Sequence, residues 1–399
     1  MTASTPKPPS DAQTLFRRQF NYPPAHIVRA PGCLTLLGGL SAGHEGLALA
    51  AAINRGVQIA SSPRTDGKFE LISEAAPGSE SFWANDLGPN PATPWAAPVK
   101  AVLARLRERG VHFKGFSAAI STDIPANVTA GRDAALAVAV ALTVRLLHPF
   151  SLTETGLADA PRPTAKGELP PLTHGEKLAL ARFCASAPGA ETRRPPPLAE
   201  TLTSLFGKAW RLVGIDFRFL TVEQIPLIGE AFVLCDSRDP ATTHPHDREI
   251  AAKLGVKALR SMELKSLAAS RDRLTEPEFL YARHIIAEIQ RVVAAERALI
   301  EEDHRQFGQF LFQSCESLRT LPGTETPELD LLIGLARESP ACLGVCAAGN
   351  STVNLVPLHQ APAFMSALAE RFRSLAGREL YPMLCRTADA AGIVRPGSE

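Results

Sequence analysis

The sequence predicts a mixed α+β fold in two domains, and three observations carry that reading. The chain has 399 residues, more than one ordinary hydrophobic core spans. Its composition, 45% hydrophobic and 21% charged, is globular. Its first half is dense in short apolar runs of strand length, its second half in long helical periodicity. The expected organisation is a flexible leader over residues 1–14, an N-terminal domain over 15–215 and a C-terminal domain over 216–399.

The elements follow in order. Residues 27–59 are apolar with glycine interruptions, which predicts a strand, a tight loop and a buried segment from Leu47 to Ile53. Lys68 to Ser73 alternates like a strand behind the turn Arg64-Thr65-Asp66-Gly67. Pro94 to Gly110 reads as a helix, with Val99, Val102, Leu103 and Leu106 on one face and Gly110 as its stop. Phe116 to Ile120 is a short strand. Ala134 to Leu147 is apolar on every face, which marks a helix enclosed within a domain. Leu152 to Pro171, rich in Pro, Thr and Gly, is a surface insertion, and Arg193 to Pro197 a stiff proline loop. Strands are expected over Arg211–Leu220 and Ala231–Cys235, and helices over Asp247–Glu302 and Arg305–Arg337. Ala341 to Leu358 is strand, glycine loop, strand, and Ala361 to Leu375 a last amphipathic helix.

Charge and cysteine usage exclude several classes. The 42 Lys and Arg against 41 Asp and Glu make neither a nucleic-acid coat nor a polybasic membrane anchor. No apolar run approaches the ~20 residues of a membrane span. The seven cysteines are scattered and odd in number, unlike a disulfide framework, so a reducing, cytoplasmic setting is expected. Cys342 and Cys346 lack a partnering His pair, and His244-Pro245-His246-Asp247 reads as a loop. No metal site is assigned.

Several segments together resemble galactokinase, of the GHMP small-molecule kinase superfamily, from about Phe16 to Gly392. Arg29-Ala30-Pro31-Gly32 opens a segment similar to the family's R-A-P-G-R-V-N-L-I-G-E-H-T-D-Y. Trp95 with Val99-Lys100-Ala101-Val102 resembles W-x-x-Y-V-K-G-V. Asp123-Ile124-Pro125 and Ala134-Ala135-Leu136 frame the phosphate-loop motif. Arg283 to Glu288, Phe307-Gly308 with Ser317-Leu318-Arg319, and Pro327 to Asp330 with Ala336-Arg337 match framework motifs that carry no chemistry. The resemblance implies two domains with nucleotide and sugar in the cleft between them.

Phosphoryl transfer requires held phosphates, Mg²⁺, positive charge on the moving group and a base or orienter for the attacking hydroxyl. Where the family has P-x-G-x-G-L-S-S-S-A-A, this chain has Pro125 to Ala135, with Asn127 and Thr129 for the glycines and Gly131, Arg132 and Asp133 in the serine run. Arg132 can attract a phosphate. Asp133 favours the helix start and repels phosphate, so a self-capped helix without nucleotide is the other reading. Cys33 stands where the family has its catalytic Arg, and Thr35 for an Asn. Gly39, Leu40 and Ala42 replace the Glu, His and Asp of E-H-T-D, leaving Ser41, His44 and Glu45 either as a different sugar-binding set or as a solvated loop. Counting back from Asp216 puts Glu200 at the family's catalytic Asp, as base or as an exposed helix-start carboxylate. Gly344 to Val353 keeps Gly344 and Gly349 of a glycine-rich motif, with Gly349 a sugar-site candidate.

The framework persists while the ligand-facing motifs are replaced together. The expectation is a galactokinase-like protein, impaired or inactive as a kinase, with a binding or regulatory role. The alternative is an active ATP-dependent sugar or small-molecule kinase using Glu200 as base. ATP and Mg²⁺ are its cofactors if active and otherwise none. The expected partners are a sugar, a nucleotide or another protein, with no nucleic acid and no membrane.

Overall fold

The computed structural model describes residues 11–125, 128, 130–165, 168–189, 196–237, 249–322 and 326–394. Asp11 accepts a hydrogen bond from the Gln13 backbone N–H and starts α1 (Ala12–Phe20). Ala12 and Phe16 close over Ile27, Ala60, Ile72 and Ala119. Residues 12–14 are therefore helix, which corrects the C-terminal end of the expected leader: burying Phe16 requires the turn before it.

The first half continues as β1 (His26–Leu37), β2 (Leu47–Pro63), β3 (Lys68–Ser73), β4 (Ala76–Trp83), α2 (Ala97–Glu108), β5 (Phe116–Thr122) and α3 (Arg132–Leu147). A two-strand flap, β6 (Ser151–Leu152) with β7 (Leu157–Ala158), precedes α4 (His174–Cys184), α5 (Leu198–Phe206), β8 (Arg211–Asp216) and β9 (Thr221–Pro226). Most of these strands form one sheet around β2. One edge of β2 takes β1 along nearly its whole length. Its other edge is shared: Val57–Pro63 pairs with β5, and Leu47–Ala50 with β8. The β3–β5 pair is parallel and its neighbours antiparallel.

The helix expected to be apolar on every face is α3, buried from Ala134 to Arg145 with few interruptions. It packs with α2, α4 and α5 on one face of the sheet around Phe69, Phe116, Val138 and Leu202. Its one deep cation, Arg145, donates to the Pro170 carbonyl.

The second half contains β10 (Glu230–Asp236), the short helices α6 (Glu249–Lys253) and α7 (Leu264–Ala269), and the long α8 (Glu276–Ile300). Then come α9 (His304–Arg319), α10 (Pro327–Glu338), β11 (Gly344–Ala348), β12 (Ser351–Pro357), α11 (Ala361–Ala376), β13 (Met383–Cys385) and β14 (Gly392–Ile393). The continuous helical stretch expected over 247–302 is broken. Gly255 takes φ 72°, and the capping box of Thr275 and Glu278 starts α8 afresh. A second sheet, in the order β11-β12-β10-β13, carries α10 and α11 on its outer face. Its inner face meets the first sheet through α8 and α9, around Leu34, Leu49, Phe232, Phe307 and Leu355.

Residue 215 falls within β8, whose hairpin with β9 belongs to the first sheet, and β14 returns to pair with β1. A boundary at 215 therefore cuts a hydrogen-bonded hairpin. The first sheet draws strands from both ends of the chain.

Candidate active site

β1 passes the start of α3 at Cys33, and the two backbones touch. The Cys33 N–H donates to the Ala130 carbonyl at 3.0 Å. Gly131, the residue before α3, has φ 66°. A Cβ there would stand 2.3 Å from the Cys33 sulfur, so only glycine fits. Among the described residues no side-chain hydrogen bond caps α3 at Gly131, so the helix start does not show the self-capping read from Asp133. Asp133 instead lies in the first turn, where its charge suits the helix dipole.

α5 completes the junction. The Cys33 thiol donates to the Glu200 carbonyl at 3.3 Å, joining residues 167 apart in sequence. Glu200 is partly buried and its side chain faces a cavity of ≈ 230 Å³ between the sheets. Burial, and then the nearby Asp133 charge, raise the Glu200 carboxyl from 4.5 to about 7. Burial, and then Glu200, push the Cys33 thiol well up. Burial draws the Arg132 guanidinium below its ordinary value, with Asp133 opposing. Three of the positions singled out in the sequence thus share one electrostatic neighbourhood: Glu200, Asp133 and Cys33.

The opposite wall comes from α8, α9, α10 and the β11–β12 turn: His284, Glu288, Ser314, Arg319, Asp330 and Gly349 among others. Most of those polar groups are committed. Glu288 accepts from the Gly38 N–H at 2.9 Å and the Ser314 hydroxyl at 2.7 Å, and its second oxygen pairs with Arg291 at 2.6 Å. Arg319 pairs with Asp330 at 3.0 Å, and His284 Nδ1 meets the Ser317 hydroxyl at 2.9 Å. These residues come from the motifs first read as framework alone, and the structure corrects that reading: they build the cleft wall. The missed signal was the buried carboxylate in Arg283 to Glu288, since a buried charge requires partners.

Of the sugar-site candidates, Gly349 lies on the cavity wall with φ 59°. Ser41, His44 and Glu45 do not, and the structure gives them other partners. The Ser41 hydroxyl lies 2.9 Å from the Gly38 carbonyl and 2.6 Å from that of Leu47, tying the β1–β2 loop to itself. His44 is buried edge-on to Tyr281, with ring centroids 5.7 Å apart. Glu45 pairs with Arg218 and Lys257, each at 2.9 Å. The cavity is lined here by Gly39 and Leu40 instead. Of the nucleotide-site candidates, Gly131, Arg132 and Asp133 stand at the α3 start behind Cys33, while Asn127 and Thr129 lie outside the described residues. So does the His244–Asp247 tract. Among the described residues no group of three or more His, Cys, Asp or Glu is placed to hold a metal.

Two packed sheets with a cleft at the start of a buried helix define a class, and comparison with solved structures places the chain in it. Lactococcus lactis galactokinase complexed with galactose superposes with a TM-score of 0.79 at 20% identity, over 95% of this chain and 98% of that one. Methanococcus jannaschii mevalonate kinase gives 0.58 at 14% identity, over 92% and 99%. The architecture is that of the two-domain GHMP kinases. In sequence, the galactokinase of Chloroflexus aurantiacus is 28% identical, covering 96% of this chain and 97% of the relative. The Homo sapiens galactokinase is 27% identical, over 96% of each. A galactokinase galactose-binding signature matches residues 14–63. Over most of its length the chain is similar to galactokinases at 27–28% identity, and its fold is that of the GHMP kinases.

Proposed function

We propose that this chain keeps the galactokinase cleft and has lost efficient phosphoryl transfer to galactose. The family reaction, ATP-dependent phosphorylation of galactose to galactose 1-phosphate, is supported as ancestry by the galactokinase relatives. One observation supports the loss: Cys33, which the resemblance sets at the family's catalytic Arg, is an uncharged thiol only 2% exposed and hydrogen-bonded to the Glu200 carbonyl. A cation on a transferring phosphoryl group can be worth about 10³-fold or more in turnover. Gly39 and Leu40 line the same wall and offer no side-chain hydrogen bond to a sugar hydroxyl. A binding or regulatory role in a reducing, cytoplasmic setting suits a fold whose seven cysteines are all buried and unpaired.

A coupled assay with galactose and MgATP is expected to show turnover far below ~1 s⁻¹, the low end of kinase rates. Turnover at or above that level overturns the proposal. Thermal shifts with each ligand then sort the remaining roles, because ligand at about 100 times its Kd adds about 2.7 kcal/mol of stability.

One observation favours a second reading, an active kinase. Glu200 lines the cavity and its carboxyl sits at about 7, near the pKa at which a general base works best at neutral pH. In that reading Glu200 accepts the substrate hydroxyl proton and Arg132 faces the phosphates of ATP. Asp133 beside them suits Mg²⁺ rather than bare phosphate. Glu200→Gln then abolishes turnover, and turnover that survives it removes Glu200 as base.

A further inference from the structure

Glu200 is a carboxylate on a cavity wall with no counter-charge. Among the described residues its side chain has no hydrogen-bond or ion-pair partner, and the charge that acts on it, Asp133, has its own sign. The groups acting on it are Cys33 on β1, a buried thiol, and Asp133 on α3, while the neighbouring Arg132 has Asp133 as its charged neighbour. Across the cavity stand His284 and Glu288 of α8, Arg319 of α9 and Asp330 of α10. Glu288 is neutralised by Arg291, and Arg319 is held by Asp330. Neither cation reaches Glu200. Much of the remaining wall is aliphatic: Leu36, Leu37, Leu40, Leu318, Leu329 and Ile333.

Each feature selects against a neutral polyol and for a different ligand. A polyol loses its water hydrogen bonds against aliphatic walls and recovers few of them. An uncompensated carboxylate in a poorly solvated site gains most from a group that is itself positive and carries N–H donors. At ≈ 230 Å³ the cavity is smaller than a drug-sized pocket of roughly 300–1,000 Å³, so the ligand is small.

We propose that this cleft binds a small organic ammonium compound with an apolar body, its ammonium on Glu200 and its hydrocarbon against the leucine wall. The inference rests on one part of the proposed function, that Gly39 and Leu40 leave this wall without side-chain hydrogen bonds for a sugar. Binding is linked to protons, because the ammonium pairs with the ionised carboxylate. Affinity should be flat above pH 7 and fall about tenfold per pH unit below it.

The test is calorimetric titration of the full chain with cyclohexylamine, protonated throughout the range, and with its neutral isostere cyclohexanol. The amine is expected to bind at least tenfold more tightly than the alcohol at pH 8, with the preference shrinking toward pH 6. In Glu200→Gln the preference should vanish while cyclohexanol binding persists, which also reports an intact cavity. Equal affinities, a preference unchanged by pH, or a preference that survives Glu200→Gln each overturn the proposal. Galactose in the same titration separates this inference from the reading beneath it. If neither galactose nor the amine binds, this inference alone is overturned. If galactose binds and the amine has no advantage, both are.

Discussion

Glu200→Gln is expected to stabilise the protein, and only at neutral and alkaline pH. Glu200 holds its proton to about pH 7 in the folded chain, against 4.5 ordinarily, because burial and the Asp133 charge both oppose its ionised form. The folded state therefore binds more protons than the unfolded chain between those two values. Stability is complete below pH 4.5, falls as pH rises through the window, and reaches its full deficit above pH 7. At 1.36 kcal/mol per pH unit, the deficit is about 3 kcal/mol at pH 8 and under about 1 kcal/mol at pH 5. Glutamine keeps the shape and cannot ionise, so the variant escapes the penalty. Unfolding entropy of about 2.1 cal/mol/K per residue turns 3 kcal/mol into a rise of about 4 °C in Tm for a chain of this length. Melting curves of both proteins at pH 5 and pH 8 measure it. Glu296, also raised to about 7, is common to both and cancels in the comparison. A gain of equal size at both pH values, or a loss at pH 8, would refute the picture of Glu200 as an uncompensated carboxylate.

Three further outcomes follow from packing. A Cβ on Gly308 of α9 would stand 1.9 Å from the Leu343 carbonyl, whereas one on Gly334 of α10 meets nothing within 4 Å. In denaturant titrations Gly308→Ala should therefore cost about 1–3 kcal/mol and Gly334→Ala should add about 0.5–1 kcal/mol, and equal effects would contradict the packing. Lys100 and Glu80 form a 2.5 Å ion pair with side chains only 4% and 3% exposed. Lys100→Met should cost about 3–5 kcal/mol by stranding the carboxylate, and a cost under 1 kcal/mol would show the pair to be solvated. Gly131→Ala combines a left-handed backbone, worth about 1–2 kcal/mol, with overlap on the Cys33 sulfur. Cys33→Ala should recover part of that loss in a double-mutant cycle, and strict additivity would deny the contact.

Much of the fold was legible locally. The α3 helix announced itself by apolar residues on every face, which no exposed helix tolerates. β3, β5, β11 and β12 followed alternation and glycine punctuation. The helical stretch over 247–302 was misjudged because its stops, Gly255 and the Thr275 capping box, are short signals inside a long periodic pattern. β9 and β14 were missed because each is a short strand with at most one fully buried side chain, held by pairing to β8 and β1.

The sequence by itself determined the chemistry available at Cys33, Gly39 and Leu40, and no packing gives a thiol, a hydrogen or an isobutyl group a positive charge to place in the cavity they line. Only the tertiary structure decided where the surviving polar groups point. Ser41, His44 and Glu45 look available in the sequence, and the fold occupies them with Leu47, Tyr281, Arg218 and Lys257. Glu200 reads equally well as a solvated helix start, and the fold turns it into the cavity beside Cys33, 167 residues away. The reason is physical: a residue's type sets the interactions it can make, while burial and partners come from contacts between segments that local periodicity does not encode.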